Sequence, residues 1–238
     1  MLLIFPFEKK IYAERGIPAT YVGHPLKERV KISMTKEEFF HKYRLDPEKK
    51  LIAILPGSRK SEIKFHMPIL NQVIKNLSQE WDAQFILLLA ENLMETFVTS
   101  FLREVSPAVE ILSQDAYVAM AYSDIALSSC GTANLEAALL GTPVVAFYRI
   151  SPLTYYAGIK LMKIKNFSIV NILAGKKIIP ELIQRNFTVE NILDETRKIL
   201  GSELVRSAIK AEYEKIRLLL GENIASNKAA RELEKILL

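Results

Sequence analysis

A single cysteine, Cys130, stands in 238 residues. No disulfide can close within the chain, and the shortage of thiols argues against a zinc site built on cysteine. Histidine is nearly as scarce, with three in all. Neither His24 nor His66 has an identifiable carboxylate partner in sequence, so His24 reads as a turn residue and His66 as one facing a helix groove. Long hydrophobic runs are absent too: the longest, such as "ILLLA" at 86–90, fall far short of the roughly 20 residues a membrane-spanning helix needs. The opening "MLLIFPFEKK" has no basic leader and nothing like a signal cleavage site. These shortages together lead to the expectation of a protein facing a reducing cytoplasm. No internal repeat and no low-complexity segment is present.

What remains is an ordinary globular balance. Half the residues are hydrophobic and 25% are charged, enough for one large domain or one and a half. The net charge of +5 is a mild bias toward anionic ligands or an anionic membrane surface; it does not call for nucleic acid.

Short aliphatic runs alternate with helical patterns along most of the chain. Strand character falls at 51–55, 84–89, 109–112, 124–129 and 143–148, and helical spacing at 62–79, 92–104, 115–122 and 132–140. Strands apolar on both faces and separated by helices predict an α/β fold, a Rossmann-like doubly wound parallel sheet. Residues 2–22 read as strand, helix and short strand, too little for a domain of their own. From Thr188, a capping-type residue, the chain reads as a helical C-terminal tail with a first stop at Gly201, then helices near 203–220 and 223–237. The expected division is a leading fragment at 1–25, a charge-rich connector at 26–50, the α/β domain at 51–186 and the helical tail at 187–238.

Ligands of such sheets bind beyond the carboxyl ends of the strands, and two motifs lie there. In "LPGSRKSEI", Gly57 permits close approach of the backbone, Ser58 is placed to cap the next helix, and Arg59 offers a forked donor suited to phosphate. The spacing is not that of a P-loop. In "SSCGTANLEAALLGTP" at 128–143, a strand ends in small residues and a helix begins at Gly131 and Thr132. Thr132 and Glu136 share one helical face, so a phosphate at the helix start and a ribose at Glu136 fit one nucleotide. A plain turn with a surface arginine, and a buried helix whose Glu favours the positive end of the dipole, are the bland alternatives.

A third motif, "NILAGKKIIPELIQ" at 171–184, breaks at Gly175 and is expected to start a helix at Pro180. Its polar Asn171, Glu181 and Gln184 suit sugar hydroxyls, but a capped loop and a solvated helix face explain them equally well. A fourth, residues 147–167, joins aromatics to Arg149, Lys160, Lys163 and Lys165 without an acidic residue. It reads as a core helix with a basic edge or as a segment lying on an anionic membrane.

Four blocks, "FPFEKKIYAERGIPATYVGHPL", "LPGSRKSEI", "CGTANLEAALLGTPVVAFYR" and "NILAGKKIIPELIQ", resemble in order and spacing the lipid-A-disaccharide synthase family. The resemblance runs from about residue 2 to residue 186. It implies a two-lobed GT-B glycosyltransferase, inverting, with no metal and no cofactor. Such an enzyme joins UDP-2,3-diacylglucosamine to the lipid acceptor 2,3-diacylglucosamine 1-phosphate through a β(1→6) bond and releases UDP. It works in lipid A synthesis, peripheral at the cytoplasmic face of the Gram-negative inner membrane. Carried over, Arg59 stabilises the departing diphosphate beside Gly57 and Ser58. Ser129, Gly131 and Thr132 hold the diphosphate by backbone donors, and Glu136 holds the ribose. Asn171, Glu181 and Gln184 lie toward the donor. Cys130 stands where the family usually has Ser, and Asn134 where it has Thr. Nearly all of a first lobe is missing, and with it the expected catalytic base, so the chain reads as the donor half of such an enzyme. A UDP-sugar-binding module working with a separate first lobe, a homodimer, and another GT-B enzyme such as a UDP-sugar epimerase or a peptidoglycan transferase stay open.

Overall fold

Residues 50–55, Lys-Leu-Ile-Ala-Ile-Leu, carry no polar group that must reach water between Leu51 and Ile54, and all four of those side chains are buried. Such a segment belongs inside a sheet covered on both faces. In the computed structural model, which describes residues 1–90, 93–102, 109–151, 155, 166–221 and 224–237, it is strand β3 (Lys50–Leu55). Around it stand β4 (Ala83–Leu88), β5 (Val109–Leu112), β6 (Ile125–Ser129), β7 (Val144–Tyr148) and β8 (Glu181–Ile183). The order across the sheet is β5-β4-β3-β6-β7-β8, and every pairing is parallel. This is the doubly wound Rossmann-like arrangement expected from the alternation of apolar runs. The chain builds outward from β3 to β5, then crosses back to lay β6 on the other side of β3. The order therefore reverses between β3 and β6.

Helices α4 (Lys60–Glu80), α5 (Glu95–Leu102), α6 (Ala116–Tyr122) and α7 (Thr132–Leu140) follow β3, β4, β5 and β6 in turn. Helix α4 buries Ile63, Met67, Leu70, Val73, Ile74 and Leu77, at the three- and four-residue intervals of one helical face. Pro68 lies inside α4 but on its exposed side, where water can satisfy the carbonyl it leaves unpaired. After β7 come α8 (Ile169–Ala174), β8 and the tail helices α9 (Val189–Leu200), α10 (Glu203–Leu219) and α11 (Ala225–Leu237). Thr188 caps α9 as expected, accepting the Asn191 N–H at 3.2 Å. Helix α9 packs on α4, where Arg197 grips Glu80 with two nitrogens at 2.8 and 2.6 Å, whereas α10 packs on α7 and α8.

Ahead of the sheet lie β1 (Leu2–Leu3), α1 (Glu8–Ala13) and β2 (Thr20–Tyr21). The two strands form a separate parallel pair. Short helices α2 (Leu26–Arg29) and α3 (Lys36–Lys42) lead from there to β3. Tyr21 and Lys27 donate to backbone carbonyls of Leu220 and Gly221, so the two ends of the chain touch.

One expected element is different. Pro180 begins no helix: the chain there pairs with β7, the Ala146 N–H donating to the Pro180 carbonyl at 3.0 Å, and β8 follows. An edge strand tolerates a residue that cannot donate to the ladder. Most of the basic aromatic segment at 147–167 lies outside the described residues.

Candidate functional site

Adjacent parallel strands lie about 4.8 Å apart. Leu55 of β3 stands in register with Ser128 of β6, so the turns after them open side by side, close enough for one small anion to touch both.

The first turn is held from within. The carboxylate of Glu62, only 5% exposed, accepts the Ser58 N–H at 3.1 Å and the Arg59 N–H at 3.2 Å through Oε2. Its Oε1 accepts from Arg59 Nη1 and from the Tyr148 hydroxyl, each at 3.1 Å. The helix cap is therefore Arg59, with Glu62 closing the turn, and not Ser58 as expected. Because Glu62 occupies those two amides, the group this turn offers to an anion is the Arg59 guanidinium. That side chain is 72% exposed. Gly57 has to be glycine here: its φ is +119° and a Cβ would lie 2.5 Å from Glu62 Oε2.

The second turn is built the opposite way. The Cys130 N–H donates to the Phe147 carbonyl at 2.8 Å, tying the strand end to β7. Beneath the turn the buried Asn134 amide donates to Ser128 Oγ at 2.9 Å and to the Ser129 carbonyl at 3.2 Å. Gly131 is the N-cap of α7 and brings no side chain to the helix start. The positive end of α7 is thus presented to the cleft with no side chain among the described residues capping its first N–H groups, the condition for holding an anion. One turn on, Glu136 is half-buried and accepts from the Tyr117 hydroxyl at 3.3 Å. Burial raises its carboxyl above the usual range, while Tyr117 and the charge of Arg29 pull it back.

Gly57, Ser58, Arg59, Ser129, Gly131, Thr132 and Glu136 all line one cleft of about 500 Å³, with Glu62 and Tyr148 between the turns. Leu88, Leu89, Ala90, Ala116 and Met120 close its far side as an apolar wall. That volume lies in the range of small-molecule sites. A groove of about 510 Å³ opens at the other end of the strands, but Lys50 there is paired with Asp124 and Arg206 with Glu203.

Asn171, Glu181 and Gln184 do not line the cleft. Asn171 is fully buried in α8: its oxygen accepts the N–H groups of Ile178 and Ile179, and its nitrogen donates to the Ile179 carbonyl and to Glu181. Glu181 also accepts from the Phe167 and Ser168 amides at the start of α8. Both side chains clasp the α8–β8 loop, which is the capped-loop alternative. Gln184 follows β8 with φ +52°, and its side-chain nitrogen is buried with no hydrogen-bond partner among the described residues. His24 serves in a turn, its Nδ1 accepting the Leu26 N–H. Among the described residues, no helix is long and apolar enough to cross a membrane. No cluster of three or more His, Cys, Asp or Glu there is arranged to hold a metal ion.

The profile of the lipid-A-disaccharide synthetase family matches residues 1–236. The chain belongs to this family. The lipid-A-disaccharide synthase of Solibacter usitatus (strain Ellin6076) is 36% identical over 238 residues, all of this chain and 62% of that protein. The chain thus spans about three fifths of the length of its curated relatives. In fold, it is similar to the UDP-GlcNAc 2-epimerase of Neisseria meningitidis bound to UDP-GlcNAc. That match has a TM-score of 0.60 and 16% identity, and it covers 96% of this chain and 58% of the other. It is also similar to WaaG, a glycosyltransferase involved in lipopolysaccharide biosynthesis, with a TM-score of 0.55, 14% identity, and coverage of 97% and 60%. For a member of the lipid-A-disaccharide synthetase family, the cleft between the two turns is where family membership and geometry meet.

Proposed function

We propose that this chain is the donor half of an inverting glycosyltransferase of lipid A synthesis. The cleft takes UDP-2,3-diacylglucosamine. The 6-hydroxyl of 2,3-diacylglucosamine 1-phosphate attacks the anomeric carbon as the bond to the diphosphate breaks. A β(1→6) bond forms, the hydroxyl proton goes to a base supplied from a first lobe, and UDP leaves with the bonding electron pair. The observation that carries this reading is the meeting of two unlike turns at the reversal point of the sheet in a chain of this family. One turn offers an exposed guanidinium; the other offers a helix start whose N-cap is a glycine.

In this reading the α- and β-phosphates rest on the amides at Gly131 and Thr132, and Arg59 meets the charge that grows on the diphosphate as the bond breaks. Donors already in place for that charge stabilise the transition state more than the ground state. Glu136 accepts from the ribose hydroxyls, and the apolar wall at Leu88–Ala90, Ala116 and Met120 takes the base. Gly57, Ser58 and Ser129 shape the turns. Asn171 and Glu181 act at a distance by fixing the α8–β8 loop. The acceptor and the acyl chains of the donor place the reaction at the cytoplasmic face of the inner membrane, with the protein bound peripherally.

Calorimetry with UDP tests this directly. Wild type should bind, and Arg59→Ala should lose about 10-fold or more in affinity, the worth of one charge-assisted contact of ~1.5–3 kcal/mol. Equal affinity in the two proteins would remove Arg59 from the site. Stronger binding of a purine than of a uridine diphosphate would remove the donor assignment.

A further inference from the structure

His66 is fully buried in α4 and takes no part in the reading above. Its two ring nitrogens reach in opposite directions. Nδ1 lies 2.6 Å from the carbonyl of Pro56, the residue that opens the first turn. Nε2 lies 3.0 Å from the backbone nitrogen of Arg149, just past β7. Nε2 also lies 3.1 Å from the Arg149 carbonyl, so at that end the ring meets both a donor and an acceptor of one residue. The Pro56 carbonyl can only accept, so Nδ1 carries a proton, and in the neutral ring that leaves Nε2 bare to accept the Arg149 N–H.

We propose that His66 is a positioning residue for the ligand cleft, a single-ring bridge that fixes the Gly57–Arg59 turn against the end of β7. The geometry behind this is specific. Tyr148, whose hydroxyl holds Glu62, immediately precedes the bridged Arg149, and Glu62 in turn holds the amides of Ser58 and Arg59. The turn is thus fastened twice to the same strand end, once through Glu62 and Tyr148 and once through His66. Only the second link ties backbone to backbone. The ring has no freedom to slip, since Phe147 and Phe187 meet it edge-on at 5.1 and 5.3 Å.

An imidazolium would give up the Arg149 N–H but could donate from Nε2 to the Arg149 carbonyl at 3.1 Å, so the link to the end of β7 does not depend on a single bond. The ionisable groups around the ring are Glu62 on its own helix and Tyr148 and Arg149 from the end of β7; Phe187, beyond β8, brings only an apolar ring. Burial, the largest influence, pulls the ring below its ordinary value of 6.5 and favours the neutral form, against the opposing pull of the Pro56 carbonyl and then of Glu62.

The inference rests on the cleft binding a nucleoside diphosphate, and the test separates the two ideas. Three proteins are compared at pH 7.5: wild type, His66→Leu, which fills the space without the bonds, and His66→Gln, which keeps one donor and one acceptor. Ile74→Val, on the same helix and away from the turns, controls for loss of stability. UDP affinity should fall about tenfold in His66→Leu, roughly what one net hydrogen bond contributes. It should recover in part in His66→Gln and hold in Ile74→Val. Nitrogen-15 spectra of wild type should show the Nδ1-protonated tautomer, and the amide signals of Gly57, Ser58 and Arg59 should move in His66→Leu. An Nε2-protonated ring, or unmoved amides in His66→Leu, overturns the proposal. UDP affinity in His66→Leu equal to that of wild type does the same. If wild type takes up no UDP, the donor reading fails on its own, and the amide signals still decide the role of His66.

Discussion

Replacing Glu62 puts the first turn to its hardest test. In Glu62→Ala the amides of Ser58 and Arg59 and the hydroxyl of Tyr148 lose their acceptor together. Loss of a helix N-terminal acceptor costs about 1 kcal/mol. Hydrogen bonds to a charged group are worth roughly 1.5–3 kcal/mol each when buried, but the cleft admits water to these donors, so the lower figure applies and only in part. The Arg59 ion pair adds little, because that guanidinium is 72% exposed and a solvated pair contributes ~0–1 kcal/mol. The sum is about 2–3 kcal/mol. At roughly 2–4 °C per kcal/mol for a chain of this size, Tm should drop by about 4–12 °C. Glu62→Gln keeps a carbonyl oxygen for the two amides and can face its NH2 to the tyrosine oxygen. It should cost about 1 kcal/mol or less, leaving Tm within ~4 °C. Thermal unfolding followed by circular dichroism reads both. If alanine and glutamine variants melt together, the carboxylate is not what closes the turn. If neither differs from wild type, the capping geometry itself is wrong.

Two further outcomes follow from the other turn. Glu136 is held above the usual carboxylate range by burial. Ribose hydroxyls donating to it would favour the charged form, so UDP binding releases a proton over that interval. UDP affinity should accordingly rise as pH climbs through and just above the usual carboxylate range, and level off once Glu136 is ionised in the free protein. In Glu136→Gln this slope should vanish, and a slope unchanged by the substitution would exclude Glu136 as its source. Cys130 lines the cleft, yet burial, with Glu181 nearby, pushes its thiol well above the ordinary value. Since the thiolate is the reactive form, maleimide at pH 7.5 should label the folded protein at least about tenfold more slowly than the denatured chain. Equal rates would show that the thiol is neither shielded nor shifted.

The sheet was legible because its strands are parallel and covered on both faces. Such strands appear as uninterrupted aliphatic runs, and each of the five runs marked in the sequence coincides with an observed strand to within one residue at either end. The sixth strand was missed for the converse reason. β8 is three residues long and sits at the edge, preceded by Pro180, and a proline before a polar stretch has the signature of a helix start. What made it a strand was the free edge of β7, a tertiary fact. Asn171 and Glu181 show a related limit of local reading. A buried amide that clasps a loop seven to ten residues later uses the same residue types as one that holds a sugar, and only the position of the loop distinguishes them.

The cleft was legible to the extent that its chemistry sits in local turns, and what escaped notice sits across them. Glu62 did carry a local signal. A capping glutamate acts on the residue three before it, which points to Arg59 and not to Ser58. Tyr148 and His66 carried none, because their partners lie on other elements. Yet these hidden residues decide whether the visible ones can work. A free carboxylate beside an anion site would repel its ligand. Two unit charges about 7 Å apart at an effective dielectric constant near 20 oppose each other by roughly 2 kcal/mol, enough to cancel the gain from Arg59. Four donors converge on Glu62 in the absence of ligand, two of them backbone amides that cannot leave without unwinding the turn. In the proposed reading, an Arg59 that turns toward a diphosphate leaves the amides and Tyr148 to hold the carboxylate, so the ligand does not meet an uncompensated negative charge. The buried acid beside an anion cleft is therefore consistent with the reading of that cleft, because it holds the turn in shape while its charge is spent on the protein's own donors.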